Sequence, residues 1–119
     1  MSYKAATPGY TPRQRQRAPI PAQLVGITGP VAGQRFELFA DTVIGRSSSS
    51  DVFVASEQLS RMHVRLVCLG DRWMLQDHGS SNGSFVNGVR VESCQLNDND
   101  RIRIGNAEFR FNLLAPGAR

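Results

Sequence analysis

The sequence lacks the features of several common protein classes. None of its apolar runs approaches the ~18 residues of a membrane-spanning helix, and its N-terminus has no apolar core of a signal peptide. We therefore expect a protein that is made and kept in the cytoplasm. Helical periodicity of useful length is also missing, so the 119 residues predict one domain built from strands.

Cysteine and histidine are scarce. Cys68 and Cys94 lie in apolar surroundings, where a cytoplasmic protein usually has small, reduced core residues. Together with His63 and His78 they are separated by single spacings of five, ten and sixteen residues. Structural zinc sites use close pairs instead, so the sequence predicts no metal site and no cofactor.

Lysine is almost absent, since Lys4 is the only one. The body therefore uses arginine for all its positive charge, and arginine suits planar, bidentate recognition of carboxylate or phosphate. Residues 1–21 contain four cations and no acid, whereas residues 22–119 contain ten arginines and ten acids. The net charge of +4 thus belongs to the N-terminal segment, and it does not predict a basic face on the body.

The chain divides into two tails and one folded unit. Residues 1–22 are basic, contain several prolines and are predicted to be disordered. Thr7 and Thr11 each precede a proline there and are possible phosphorylation sites. The domain is expected at residues 23–114, followed by a short C-terminal tail at residues 115–119. Nucleic-acid binding by the N-terminal tail would be non-specific, because its four charges are few and no aromatic lies among its three arginines.

Short strand-like runs separated by turn signals fill the predicted domain. Gly70-Asp71, Asn87-Gly88 and Gly105-Asn106 each join two such runs as hairpin turns. The last pair, "RIRI" and "AEFRFNLL", alternates apolar with polar residues, which is typical of a half-buried antiparallel sheet. The pattern predicts an all-β protein, an antiparallel β-sandwich of many short strands with binding loops at one end.

Polar loops between these strands admit several interpretations. Ser60 and His63 could be a nucleophile and its base, oriented by Asp77, but Ser60 does not lie in a G-x-S-x-G elbow, and the sequence shows no strand-turn-helix to hold one. The segments "GRSSSSD" and "GSSNGS" contain no Gly-Lys-Ser/Thr, which argues against nucleotide hydrolysis. Taken singly, their serines, asparagines and glycines are ordinary turn residues. A static anion site built from arginines, hydroxyls and backbone N–H groups is the remaining interpretation.

Three motifs in order resemble the forkhead-associated (FHA) domain, a phosphothreonine-binding β-sandwich. They are Gly45-Arg46, then Ser60-Arg61-Met62-His63, then Asn82-Gly83. The resemblance covers about residues 24–114, and "SDVFV", "FVNG" and "LNDNDRIRIG" also look like the family's framework. Two departures are Ser84, where threonine is frequent, and Asn99, where glycine is frequent.

The resemblance implies a role for each motif residue. Arg46 would contact a phosphate oxygen, Arg61 would add a second cation, and Asn82 would hold the backbone of the bound peptide. Ser60 and Ser81 would donate hydroxyl groups. Gly45, His63 and Gly83 would support the loops structurally, with His63 packed beneath them and never needing a charge.

The resemblance implies a non-enzymatic module that recognises phosphothreonine in partner proteins within Ser/Thr kinase signalling. A phospho-independent structural or scaffold module of the same fold is the alternative. We also consider the hypothesis that phosphorylated Thr7 or Thr11 docks in the protein's own site or in that of a neighbour, although the arginines that follow Thr11 speak partly against it. No membrane and no specific nucleic-acid partner is expected.

Overall fold

The computed structural model describes residue 18 and residues 20–114, which form two packed β-sheets joined by short loops. Thr7, Thr11 and the C-terminal tail at residues 115–119 lie outside the described residues. The strands are β1 (Ala22–Thr28), β2 (Arg35–Leu38), β3 (Thr42–Gly45), β4 (Val52–Phe53), β5 (Val64–Leu69), β6 (Arg72–Asp77), β7 (Ser84–Val86), β8 (Val89–Val91), β9 (Ser93–Leu96), β10 (Asp100–Ile104) and β11 (Ala107–Leu113), with a 3₁₀ turn at Gly29–Val31. Within the described residues, no helix is long and apolar enough to cross a membrane.

The predicted β-sandwich is confirmed, with one departure from antiparallel pairing. One sheet has six strands in the order β2-β1-β11-β10-β7-β8, and the other has five in the order β4-β3-β5-β6-β9. Strands β3 and β4 pair in parallel through Ile44 with Val52 and Gly45 with Phe53. β4 and β9 were not among the predicted strands, because neither short run is marked by a two-residue hairpin signal.

The core lies between the two sheets and follows the alternation seen in the sequence. In β10, Ile102 and Ile104 are fully buried while Arg101 and Arg103 are exposed. Trp73 of the five-stranded sheet packs edge-on against Phe111 of the six-stranded sheet, with ring centroids 6.3 Å apart. Each such fully buried apolar side chain contributes roughly 1.5–3 kcal/mol, so the interior fixes how the loops are placed.

The folded unit begins earlier than the predicted boundary after residue 22. Ala22 is fully buried at the start of β1, and the carbonyl oxygen of Ile20 accepts a hydrogen bond from Trp73 Nε1 at 2.6 Å. Leu114 N–H donates to the carbonyl of Pro21 at 2.8 Å. The prolines of this segment hid its role, because they interrupt any strand-like pattern in the sequence.

Two asparagines adopt the left-handed backbone that their turns require. Asn87 and Gly88 have φ of 52° and 84°, as the predicted hairpin turn demands. Asn99 has φ of 73° where glycine is frequent in the family, so this departure preserves the turn.

Cys68 and Cys94 are only partly buried, less than predicted for core residues. They are free thiols, and burial raises the pKa of both.

Candidate functional site

Three loops meet at one end of the sandwich and line a surface cleft of about 250 Å³. They follow β3, β4 and β6, and each carries one of the three sequence motifs. All five predicted ligand-binding residues line this cleft: Arg46, Ser60, Arg61, Ser81 and Asn82. Glu57, Gln58 and Leu59 complete its lining, and the sequence did not mark them as site residues.

Arg46 is exposed, but a hydrogen bond from its Nε holds the side chain in place. Its Nε–H donates to the carbonyl of Leu59 at 3.1 Å, and its backbone N–H donates to the carbonyl of Ser60 at 3.0 Å. Among the described residues its two terminal nitrogens have no hydrogen-bond partner. The arginine is therefore positioned while its strongest donors stay available for an anion.

The hydroxyl of Ser60 is oriented by the opposing loop. Its oxygen accepts a hydrogen bond from the backbone N–H of Ser81 at 3.2 Å. A hydroxyl that accepts in this way keeps its own proton, which it can donate to a ligand oxygen. This bond also fixes the distance between the loop after β4 and the loop after β6.

His63 is fully buried beneath these loops and joins them. Its Nδ1 accepts from the backbone N–H of Ser60 at 3.1 Å, and its Nε2 lies 2.8 Å from the carbonyl oxygen of Gly83. Because one partner only donates and the other only accepts, the ring is neutral with its proton on Nε2. Both nitrogens are occupied, so neither can act as a base toward the Ser60 hydroxyl.

Asp77, the third residue of the hydrolase hypothesis, anchors the loop after β6 instead. Its carboxylate accepts from Ser80 through both backbone N–H and hydroxyl, at 3.0 and 2.5 Å, and from the Ser84 hydroxyl at 2.5 Å. Burial alone would raise the pKa of Asp77, but these hydrogen bonds outweigh it and hold the pKa below its usual value. Ser84 therefore keeps the hydroxyl that the family's threonine would supply.

Asn82 spans the cleft by a direct contact. Its side-chain Nδ2–H donates to the carbonyl of Gln58 at 2.8 Å. Its amide oxygen and second amide hydrogen remain for a ligand, which is compatible with holding a peptide backbone.

Glycine is required at both predicted support positions. A Cβ at Gly45 would fall 2.1 Å from the carbonyl oxygen of Arg61, so only glycine allows the two loops to approach. Gly83 has φ of +85° and lies against Arg90. Close approach of backbone therefore requires glycine at position 45, and the left-handed backbone favours it at position 83.

The fold and the cleft are those of a β-sandwich binding module whose loops carry a cleft lined by arginine and serine side chains. The family model of the FHA domain matches residues 42–105, more than half of the chain, so the chain belongs to the FHA domain family. This span contains all three motifs and every residue of the cleft.

Known relatives support the same assignment. The oxoglutarate dehydrogenase inhibitor of Corynebacterium jeikeium is 38% identical over 91 residues, which cover 76% of this chain and 63% of that protein. The structure of Mycobacterium tuberculosis EmbR in complex with a low-affinity phosphopeptide is 34% identical, with a TM-score of 0.74, and the match covers 89% of this chain and 28% of EmbR. A structure from a study of phosphothreonine-dependent FHA domain interactions is 29% identical, with a TM-score of 0.71 and 77% and 95% of the chains covered. The match spans about three fifths of the length of the Corynebacterium jeikeium inhibitor.

Proposed function

We propose that this FHA domain binds phosphothreonine in partner proteins within Ser/Thr kinase signalling, and that it does so without catalysis. Arg46 and Arg61 supply positive charge, and Ser60 and Ser81 supply hydroxyl donors. Asn82 engages the peptide backbone. Gly45, His63 and Gly83 hold the loops. The domain acts in the cytoplasm, where such kinases meet their substrates.

One observation carries this proposal: within the part of the chain that the structure describes, two donor groups of the cleft have no acceptor. The terminal nitrogens of Arg46 and the proton of Ser60 are positioned by other bonds of the same groups. A phosphate monoester carries nearly two negative charges and three acceptor oxygens at neutral pH, which matches this set of donors. Known FHA structures that concern phosphopeptides support the same ligand class.

Titration of the full chain with phosphothreonine peptides tests the proposal and separates it from the scaffold alternative. We expect binding of phosphorylated peptides and none of their unphosphorylated forms. Arg46→Ala removes charge-assisted hydrogen bonds worth roughly 1.5–3 kcal/mol, so affinity should fall about tenfold or more. Arg72→Ala is the control, because Arg72 lies in β6 at the β5–β6 turn and outside the cleft. Equal affinity of Arg46→Ala and the parent would contradict the assigned site.

The N-terminal hypothesis remains a prediction, since Thr7 and Thr11 lie outside the described residues. Twelve residues separate Thr11 from Gln23 and span about 40 Å when extended, enough to reach around a domain of this size. A phosphorylated tail that docks should compete with an external phosphopeptide within one molecule, or produce larger species at high concentration if it docks in a neighbour. Unchanged external affinity and unchanged size after phosphorylation would reject the hypothesis.

A further inference from the structure

The outer face of the six-stranded sheet concentrates arginine in a way that the neutral charge of the body conceals. Strand registers place five exposed arginines on this face: Arg35, Arg90, Arg101, Arg103 and Arg110. Among the described residues, the strands of this face carry two acids, Glu37 and Glu108. Asp98 lies at its edge, where its carboxylate accepts a hydrogen bond from Asn112 Nδ2 at 3.3 Å, so the face has a net charge of +2. The balanced totals of arginine and acid did not predict this face, because the two kinds of charge are segregated in space. We call this surface the arginine face.

Most of these guanidinium groups have no acidic partner. Arg101 pairs with Glu108 at 3.2 Å, and within residues 18 and 20–114 the other four arginines make no ion pair. Arg101 and Arg110 are directly opposite each other on neighbouring strands, an arrangement that destabilises a sheet unless an anion is shared. Arg103 stacks on Phe85 at 4.2 Å, which holds one guanidinium flat on the surface.

The arginine face is continuous with the phosphate cleft. The guanidinium of Arg90 lies over Gly83, so closely that a Cβ there would fall 2.7 Å from Arg90 Nε. Gly83 directly follows Asn82, which lines the cleft. A peptide that leaves the cleft past Asn82 therefore meets Arg90 first and then the stacked Arg103.

We propose that the arginine face binds an acidic segment of the same phosphoprotein whose phosphothreonine occupies the cleft, a proposal that rests on the proposed function. The cations of this face are all arginines, and a planar guanidinium binds a carboxylate through two parallel hydrogen bonds. The face therefore favours carboxylates. From β8 to β2 the face crosses five strand spacings, about 24 Å, which an extended run of about seven residues would cover. The acidic run begins within a few residues of the phosphothreonine, because Arg90 adjoins the cleft.

Three phosphothreonine peptides with a common central sequence test this proposal on the full chain. One has neutral flanks, one carries seven acidic residues before the phosphothreonine, and one carries them after it. We expect one of the acidic peptides to bind about tenfold tighter than the neutral peptide at physiological salt. The double variant Arg101→Gln/Arg110→Gln should lose most of this gain and keep its affinity for the neutral peptide. Thermal melts verify that this variant is folded.

The matched control is Arg65→Gln/Arg72→Gln, which removes two arginines from the outer face of the five-stranded sheet. An equal loss in this control would reduce the effect to general electrostatics and overturn the proposal, as would equal affinity for all three peptides. Tight binding of a DNA or RNA oligonucleotide that depends on Arg101 and Arg110 and displaces the acidic peptide would assign the face to nucleic acid instead. If the neutral phosphopeptide itself fails to bind, the proposed function fails first, which the Arg46→Ala comparison reveals separately.

Discussion

The backbone N–H of Ser60 donates to Nδ1 of His63 at 3.1 Å. Because His63 is fully buried, the conformation of the loop after β4 depends on a side chain that is not exposed at the cleft. The same ring donates from Nε2 to the carbonyl of Gly83, which belongs to the opposite loop. His63 thus joins two of the three loops and fixes the width of the cleft. We propose that His63 positions the binding groups, and its two hydrogen bonds need no change of protonation to do so.

Substitution of these two residues should separate positioning from ligand contact. Ser60→Ala is expected to lower phosphopeptide affinity about tenfold with little change in melting temperature, since it removes one hydroxyl at a half-buried site. His63→Ala leaves the Ser60 N–H and the Gly83 carbonyl unsatisfied, at a cost of roughly 1–3 kcal/mol for each group, and should lower both affinity and stability. Thermal melts and peptide titrations of both variants measure the two effects. A fully stable His63→Ala protein would contradict the positioning role.

Asp77 should make the domain sensitive to acid. Its pKa lies below the ordinary value in the folded state, so ionisation favours folding at any pH above that ordinary value, near 4. The stabilisation disappears as the pH falls through the lowered pKa of the folded protein. Asp77→Asn should therefore be less stable than the parent at pH 7, by roughly 1–3 kcal/mol from weakened hydrogen bonds to Ser80 and Ser84, and the difference should shrink below about pH 4. Asp71→Asn, in the exposed β5–β6 turn, is the control. If the stability difference between Asp77→Asn and the parent did not change with pH, this account would be contradicted.

Much of the sandwich could be predicted because tight turns and strand alternation are local signals. Asn87-Gly88 marked its hairpin correctly, and the alternation around Ile102 identified the buried side of β10. The two-residue strand β4 is defined by its parallel pairing with β3, which no local pattern encodes. All five predicted ligand residues line one cleft. They lie in loops after β3, β4 and β6, and these loops meet at the same end of the sandwich.

The features that could not be predicted from the sequence are mostly contacts between residues that are distant along the chain. Asp77 was considered as a catalytic orienter, although its spacing of three from Ser80 is also the signal of a side-chain-capped turn. Gln58 enters the site through its backbone carbonyl, and such a contact leaves no trace in residue type. The arginine face combines residues from β2, β8, β10 and β11, which become neighbours only through the sheet order.

Phosphopeptide affinity should decrease as the pH falls below about 6, where the phosphate takes up its second proton. Arginine as a residue type stays protonated at any pH at which proteins fold, so the transition should belong to the ligand. Isothermal titrations between pH 7.5 and 5, on protein shown to be folded, measure it. A phosphonate analogue with a more acidic second ionisation should move the transition to lower pH. A transition that stays at the same pH with both ligands would place the titrating group on the protein and contradict recognition of the dianion.

Glu57 should weaken phosphate binding, since it lines the same cleft as Arg46 and Arg61. Within the described residues its carboxylate has no ion-pair partner, so its negative charge opposes an incoming phosphate dianion. Glu57→Gln keeps the shape of the side chain and should raise affinity for a neutral-flanked phosphopeptide about two- to fivefold, as expected for one exposed charge interaction of roughly 0.4–1 kcal/mol. The gain should diminish at high salt, where exposed charges are screened. Asp71→Asn makes the same change of net charge at the far turn of β5 and β6 and should leave affinity unchanged. An equal gain from both variants would show that only net charge matters, and a loss of affinity in Glu57→Gln would show that Glu57 contacts the peptide favourably.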